Sequence, residues 1–379
     1  MNRREFLSTP ALALAQGEPE QGFTSLFDGK TLKGWAIQEG PQSAFYADAG
    51  DIVGHDTSGF PAWLRSEKEY ENFDLRLEFF LKGWMDGGVL IHAPEHGRPS
   101  WAGMLVKIFH QYDKEPQTNS MGAILPVVAP KLVNVRAKGE WNSMRILMDW
   151  PRLQVWVNGE AIQDIDCDAH HAIHDRLRQG FIGLSTLSYP LRFRNLRIRE
   201  LPSKEKWETL FETDSDMDKW FVSESNQRTP AQFRAPNGVL WADGVGHLAT
   251  KKKYRDFELQ LYVRHAKHHN SGVLFRTAGK GLADPRGYEI QLHDVEDAHF
   301  PTGSLYYHKR SVYPRIEPEK WFLMQVIAKG RECMVRVDGQ TVMMYDKLEN
   351  VDEGHIELQA HQAGRWTEFK RIRLKKWGQ

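Results

Sequence analysis

The sequence predicts an all-β protein built from two tandem antiparallel sandwiches, and three observations carry that expectation. A set of motifs recurs at a nearly fixed interval along the chain. Within each copy, apolar and polar residues alternate with period two, as half-buried strands require. Gly and Pro interrupt the alternation about every 8 to 12 residues, the rhythm of short strands joined by turns, and long helical periodicity is scarce.

The repeat organises everything else. Leu26-Phe27-Asp28 recurs as Leu210-Phe211-Glu212, and Trp35 recurs near Trp220. Tyr70-x-x-Phe73-x-Leu75-x-Leu77 recurs as Tyr254-x-x-Phe257-x-Leu259-x-Leu261, and Gly88-Val89-Leu90 as Gly272-Val273-Leu274; positions 26 and 210, 70 and 254, 88 and 272 all differ by 184. The interval falls to 180 for Trp141 against Trp321 and for Val155-x-Val157-Asn158-Gly159 against Val335-x-Val337-Asp338-Gly339, as small loop deletions would cause. Phe193-Arg194-Asn195-Leu196-Arg197-Ile198-Arg199 matches Phe369-Lys370-Arg371-Ile372-Arg373-Leu374-Lys375. The expected division is therefore 1–20 as a signal or unstructured start, 21–202 as the first sandwich and 206–379 as the second, with the boundary in Pro202-Ser203-Lys204-Glu205-Lys206. Asp164 to Arg178 and Asp346 to Glu353 are compatible with a short helix or a loop.

Composition narrows the function classes. Lys+Arg and Asp+Glu both total 50 in the 379 residues, and no basic run is long enough to track a phosphate backbone, which argues against nucleic acid as a partner. No apolar stretch approaches the ~20 residues of a membrane span. Cys167 and Cys333 fall in different copies, so a disulfide between them is not expected. At the start, Asn2-Arg3-Arg4-Glu5-Phe6-Leu7 precedes an apolar run through Leu12 to Ala15, an order that resembles a twin-arginine export signal and implies a periplasmic or secreted protein.

The candidate chemistry lies in the second copy. In Gly287-Tyr288-Glu289-Ile290-Gln291-Leu292-His293-Asp294, burying Ile290 and Leu292 turns Glu289, Gln291 and His293 outward. Glu357-Leu358-Gln359-Ala360-His361 likewise buries Leu358 and presents Glu357, Gln359 and His361. Asn270 opens a strand that ends in Arg276, and Asp294 follows the first of these strands. Such a set suits a sugar, whose hydroxyls need donors and acceptors and whose ring faces stack on aromatics such as Tyr288, Tyr306 or Trp366. It also suits proton abstraction beside a carbonyl, with a carboxylate or His as base and a cation or donor for the enolate. A solvated sheet face would show the same alternation. The first copy is a comparison: Glu289 corresponds to Leu105, Gln291 to Lys107, Asp294 to His110, Gln359 to Ser185 and His361 to Leu187. The first copy thus reads as degenerate.

Other clusters are weaker. His265, His268 and His269, and His170, His171 and His174 with Asp166 and Asp168, match no zinc-ligand spacing and read as exposed polar loops. Asp294-x-Glu296-Asp297 lacks the oxygen-ligand rhythm of a calcium loop.

The opening Phe23-Thr24-Ser25-Leu26-Phe27-Asp28-Gly29-Lys30-Thr31-Leu32-Lys33-Gly34-Trp35, with Asn270-Ser271-Gly272-Val273, Gly287-Tyr288-Glu289-Ile290-Gln291 and Thr302-Gly303 with Tyr306, resembles the 3-keto-disaccharide hydrolase family. The resemblance covers each half almost completely. It implies a concanavalin A-like lectin/glucanase jelly roll and activity as a 3-keto-glucoside 1,2-lyase or 3-keto-2-hydroxy-glucal hydratase, after a separate upstream sugar dehydrogenase has made the ketone. His361 or Glu289 would then be the base, Arg276 and Gln291 would orient or polarise the sugar, and Tyr288 and Tyr306 would line the pocket with Asp294, Gln359, Glu357 and Asn270. A divalent metal ion could assist the carbonyl, but no ligand set is apparent. The family's late Gln-Asp-His-Gly motif stands here as Gln359-Ala360-His361-Gln362, and as Ser185-Thr186-Leu187-Ser188 in the first copy. Two alternatives remain: a non-catalytic carbohydrate-binding protein of the envelope, and a two-carboxylate glycosidase using Glu289 and Glu357 if their strands adjoin.

Overall fold

The computed structural model describes residues 20–55, 62–110, 115–187, 190–281 and 286–377. The proposed export signal lies outside them. Strands dominate, and the described strands form an eight-stranded and a six-stranded sheet before residue 201, then an eight-stranded and a five-stranded sheet after residue 206. The named strand pairs are antiparallel, and in each half strands far apart in sequence lie side by side, Phe73–Phe80 against Arg192–Glu200 and Phe257–His265 against Thr367–Lys376. Sandwich-like sheets in two halves are what the alternation predicts.

The pattern of residues explains each core. Strand Phe257–His265 turns Phe257, Leu259, Leu261 and Val263 inward, into one buried cluster with Val273, Phe275, Ile290, Leu292 and Leu358 of the facing sheet. Phe73, Leu75, Leu77 and Phe79 do the same in the first half. Each such side chain contributes roughly 1.5–3 kcal/mol by leaving water. A slip of one residue would instead bury Glu258 and Gln260, so the register is strongly held. Asn158-Gly159 and Asp338-Gly339 are tight hairpin turns with both residues at positive φ. Asn158 and Asp338 also accept the backbone N–H of Ser143 and Leu323 at 3.0 and 2.9 Å. Cys167 and Cys333 sit unpaired in separate cores. Asp164 to Arg178 continues from strand into turns, and Asp346 to Glu353 is loop.

The halves meet through the outward face of the same strand. Tyr262 points away from its own core yet is buried, packed with Leu323 against Ala102 and Leu177 of the first half. Its hydroxyl accepts the Glu95 N–H at 2.6 Å. Around this contact, Glu69 pairs with Arg373 at 2.7 Å and Arg371 at 3.3 Å, and Glu95 with Arg371 at 3.0 Å and Lys370 at 3.2 Å.

Candidate functional site

The outer face of the five-stranded sheet gathers polar groups by register alone. Its strands run Trp220–Ser225, Gly246–Thr250, His355–Ala360, Asn270–Thr277 and Tyr288–His293 in spatial order. Leu274 lies opposite both Glu289 and Glu357; Gly272 lies opposite Gln291; His247 lies opposite Gln359; Asn270 lies opposite His293. Thr302 to Tyr306 adds a further edge, with the Gln291 N–H donating to Ser304 and the Tyr306 N–H to Glu289, both at 2.9 Å.

The two carboxylates stand in opposite environments. Glu357 is fully buried and supplied with donors: Ser223 Oγ at 2.5 Å, the Thr277 hydroxyl, and the Gly281 N–H at 3.1 Å. Glu289 is 5% exposed, no donor among the described residues reaches its carboxylate, and burial pushes its pKa up to about 7. Its side chain folds over Gly272, where an added Cβ would stand 2.1 Å from Oε1. On either side of that glycine, the buried Oε1 atoms of Gln291 and Gln359 also lack partners among the described residues. Buried polar atoms left open in this way mark a place for a polar ligand.

His247 completes the row and was not singled out from sequence. Its Nε2 is 3.3 Å from the Gln359 amide nitrogen and its Nδ1 3.1 Å from Glu224 Oε2. Burial lowers its pKa, and Glu357 opposes that shift. The signal was present: Gly246-His247-Leu248 alternates like its neighbours, and His247 matches Trp63 at the 184 interval.

The structure redistributes the other expected residues. Arg276 is not at the face: its guanidinium donates to the carbonyls of Arg255, Gly330 and Asn350 at 3.0, 2.9 and 2.9 Å and to Asp256 at 3.1 Å. A register shift between Leu274 and Thr277, with Arg276 at φ 54°, turns it aside. Tyr288 belongs to the core side of its strand, stacked on Phe275 at 5.3 Å, with its hydroxyl accepting the N–H groups of Glu349 and Asn350. Asp294 spends its oxygens on the N–H groups of His268 and His269 at 2.8 and 3.0 Å. Asn270 accepts from the Gln291 amide, and half-buried Tyr306 stands beside Glu289. His361 is solvent-accessible at the rim, and the atoms crowding one side of its ring, with His293 beside it, lower its pKa. Glu289 and Glu357 do not sit on adjoining strands, because Asn270–Thr277 runs between them, so the condition for a two-carboxylate glycosidase fails. His265 and His269 are not exposed loop residues either: they are 1% and 0% exposed and stack at 5.5 Å, since His265 continues the inward series of Phe257 to Val263. Among the described residues no three His, Cys, Asp or Glu side chains converge to hold a metal ion.

The model of the 3-keto-alpha-glucoside-1,2-lyase-like domain matches the chain twice, over residues 22–199 and 206–375. The chain belongs to that family. Membership marks it as a carbohydrate-active enzyme. Two solved structures of Parabacteroides distasonis proteins, each described as a putative glycosyl hydrolase, share 22% and 21% identity with it. They cover 48% and 47% of this chain and 94% and 99% of their own, with TM-scores of 0.42 and 0.41. A carbohydrate binding module from Bacillus subtilis aligns at 13% identity over 43% of this chain and 94% of its own, with a TM-score of 0.32. No curated protein matches the chain.

The two 3-keto-glucoside-lyase-like halves differ at this face. In the first, Trp63, Leu90, Ala93, Leu105 and Phe181 form an apolar cluster where the second has its polar row. Gly183 takes the place of Glu357, and a Cβ there would meet the Trp63 ring at 2.5 Å. The indole fills the space that a carboxylate occupies in the other half. Lys107, in the place of Gln291, pairs with Asp86.

Proposed function

We propose that the second half cleaves 3-keto-glycosides, with Glu289 as the base. The ketone at C3 acidifies the C2 proton; Glu289 takes that proton, and the electron pair of the C–H bond passes into an enolate on the C3 oxygen. As the enolate collapses, C1=C2 forms, the C1–O bond breaks and its electrons leave with the aglycone oxygen, which takes up a proton. Water adding back at C1 then gives net hydrolysis. In this reading Tyr306 donates to the enolate oxygen, the aglycone oxygen takes its proton from water at the open rim beside His361, and Gln291, Gln359 and Asn270 hold hydroxyls. A separate dehydrogenase must supply the ketone. With Arg3-Arg4 ahead of its apolar run, we place this chemistry in the periplasm.

The observation that carries the reading is the unmatched pair of carboxylates: Glu357 is tied down by three donors, while Glu289 is buried, reached by no donor among the described residues, and pushed by burial to about 7. A base poised near the working pH is what proton abstraction needs. The test is release of p-nitrophenol from p-nitrophenyl 3-keto-glucoside and from the unoxidised glucoside. Cleavage of the keto form alone is expected. Cleavage of the plain glucoside would establish a glycosidase instead, and binding of the keto form without cleavage a non-catalytic module.

A further inference from the structure

We propose that the cleft between the two halves is a second carbohydrate-binding site, one that takes an uncharged oligosaccharide chain independently of the chemistry at Glu289. The cleft encloses about 700 Å³, within the ~300–1,000 Å³ of small-molecule sites. One wall comes from the first half, at Gln38, Glu39 and His96 to Arg98; the other comes from the segment Pro314 to Phe322 with Arg264 and Asp338 of the second.

Three features distinguish it from an accidental gap. The first is backbone strain: Glu39 and Arg315 hold φ at 56° and 53°, a region that Glu and Arg seldom enter. Asp338 and Glu319 also have positive φ, but their turns account for that. Strained residues of this kind gather at ligand clamps. The second is the closeness of the walls, since a Cβ on Gly97 would stand 2.0 Å from Asp338 Oδ1 of the other half. Across the gap Glu39 feels burial first and then Lys320 and Glu317, and Asp338 is pushed by burial to about 7. The third is a ring packed across the junction: Trp321 lies 6.1 Å from the His96 ring at 20°, with the Arg264 guanidinium 4.8 Å and Lys370 Nζ 4.7 Å from the indole centre.

The lining selects the ligand. Arg264 is already paired with Glu368 and Asp338 is largely discharged by burial, so Arg98, Arg315 and Lys320 stand against Glu39, Glu317 and Glu319 and the cleft carries little net field to attract a phosphate or a polyanion. Donors on Arg98, Arg315 and Lys320 set among acceptors on Glu39, Glu317 and Glu319 match sugar hydroxyls, each of which both gives and accepts a hydrogen bond.

Calorimetric titration of the full chain with cellohexaose, maltohexaose and laminarihexaose tests this. At least one is expected to bind, with affinity falling about tenfold or more, as loss of central contacts does, in the double variant Glu39→Gln, Arg315→Ala. The variant Glu289→Gln should bind the same ligand as the native protein does. Should the double variant fail to fold, Arg315→Ala alone, a change to an exposed side chain, reads the same contrast. Failure of all three hexaoses to bind, or binding that survives the cleft changes, overturns the proposal, and neither result bears on cleavage of the keto-glucoside.

Discussion

Burial without a donor makes Glu289 a weaker acid, and that shift has two consequences of opposite sign. As a base it works only when ionised, so kcat/KM for the keto-glucoside is expected to rise as pH increases through about 7. Glu289→Gln should lower kcat by at least ~100-fold, the lower end of what a positioned base contributes. Stability runs the other way. The folded carboxyl titrates about 7 against 4.5 in the open chain, so folding takes up a proton. Its contribution is fully present below pH 4.5, declines between 4.5 and 7, and is lost above that. At about 1.4 kcal/mol per pH unit, the swing is at most ~3.5 kcal/mol. Urea titrations at pH 5 and pH 8 should show Glu289→Gln flattening this dependence; an unchanged slope would mean that the carboxyl is solvated. Alternation alone put Glu289 and Glu357 on one face. It could not tell which would be donor-free, because Ser223, Thr277 and Gly281 reach Glu357 from other parts of the chain.

Within the sheets, two glycines at the same point of the repeat separate packing from chemistry. Gly272 leaves room for the Glu289 carboxylate, and Gly88 for Leu105 beside the Val106 carbonyl. An added methyl at 272 meets first the movable end of a side chain, at 2.1 Å from Oε1. Gly272→Ala should therefore keep the fold, shift the melting temperature little, and cut turnover about as far as Glu289→Gln does. At 88 the methyl would stand 2.5 Å from backbone oxygen, which cannot swing away. Gly88→Ala should cost about 1–3 kcal/mol, the usual range for overpacking, with kcat/KM of the folded fraction unchanged. Melting curves run beside turnover check both. Strand alternation was readable wherever it was regular and failed where a bulge broke it: the shift after Leu274 sends Arg276 to the carbonyls of Arg255, Gly330 and Asn350.

Between the halves, partly buried ion pairs join surfaces that are otherwise independent sandwiches. Glu69 and Glu95 each hold two cations from the strand Thr367–Lys376. Replacing both by Gln leaves Lys370, Arg371 and Arg373 facing each other with only Glu212, 3.7 Å from Arg371, as counter-charge. At about 1 kcal/mol for each weakly exposed pair, the double variant should lose roughly 2–4 kcal/mol of coupling. Calorimetry is expected to resolve its single transition into two, with the split widening in low salt. A single sharp transition in the variant would show that the apolar contact of Tyr262, Ala102, Leu177 and Leu323 suffices.

The repeat, the alternation and the Asn-Gly and Asp-Gly turns are local properties, and they determined the tandem sandwiches, the inward faces and the outward polar row without coordinates. Neighbours in space decided the rest. Which strands adjoin set Glu289 and Glu357 apart, contact with the first half buried the outward Tyr262, and the approach of Gly97 to Asp338 formed the cleft. Desolvation and donor supply depend on groups brought from distant positions in the chain, and period-two patterning carries no record of them.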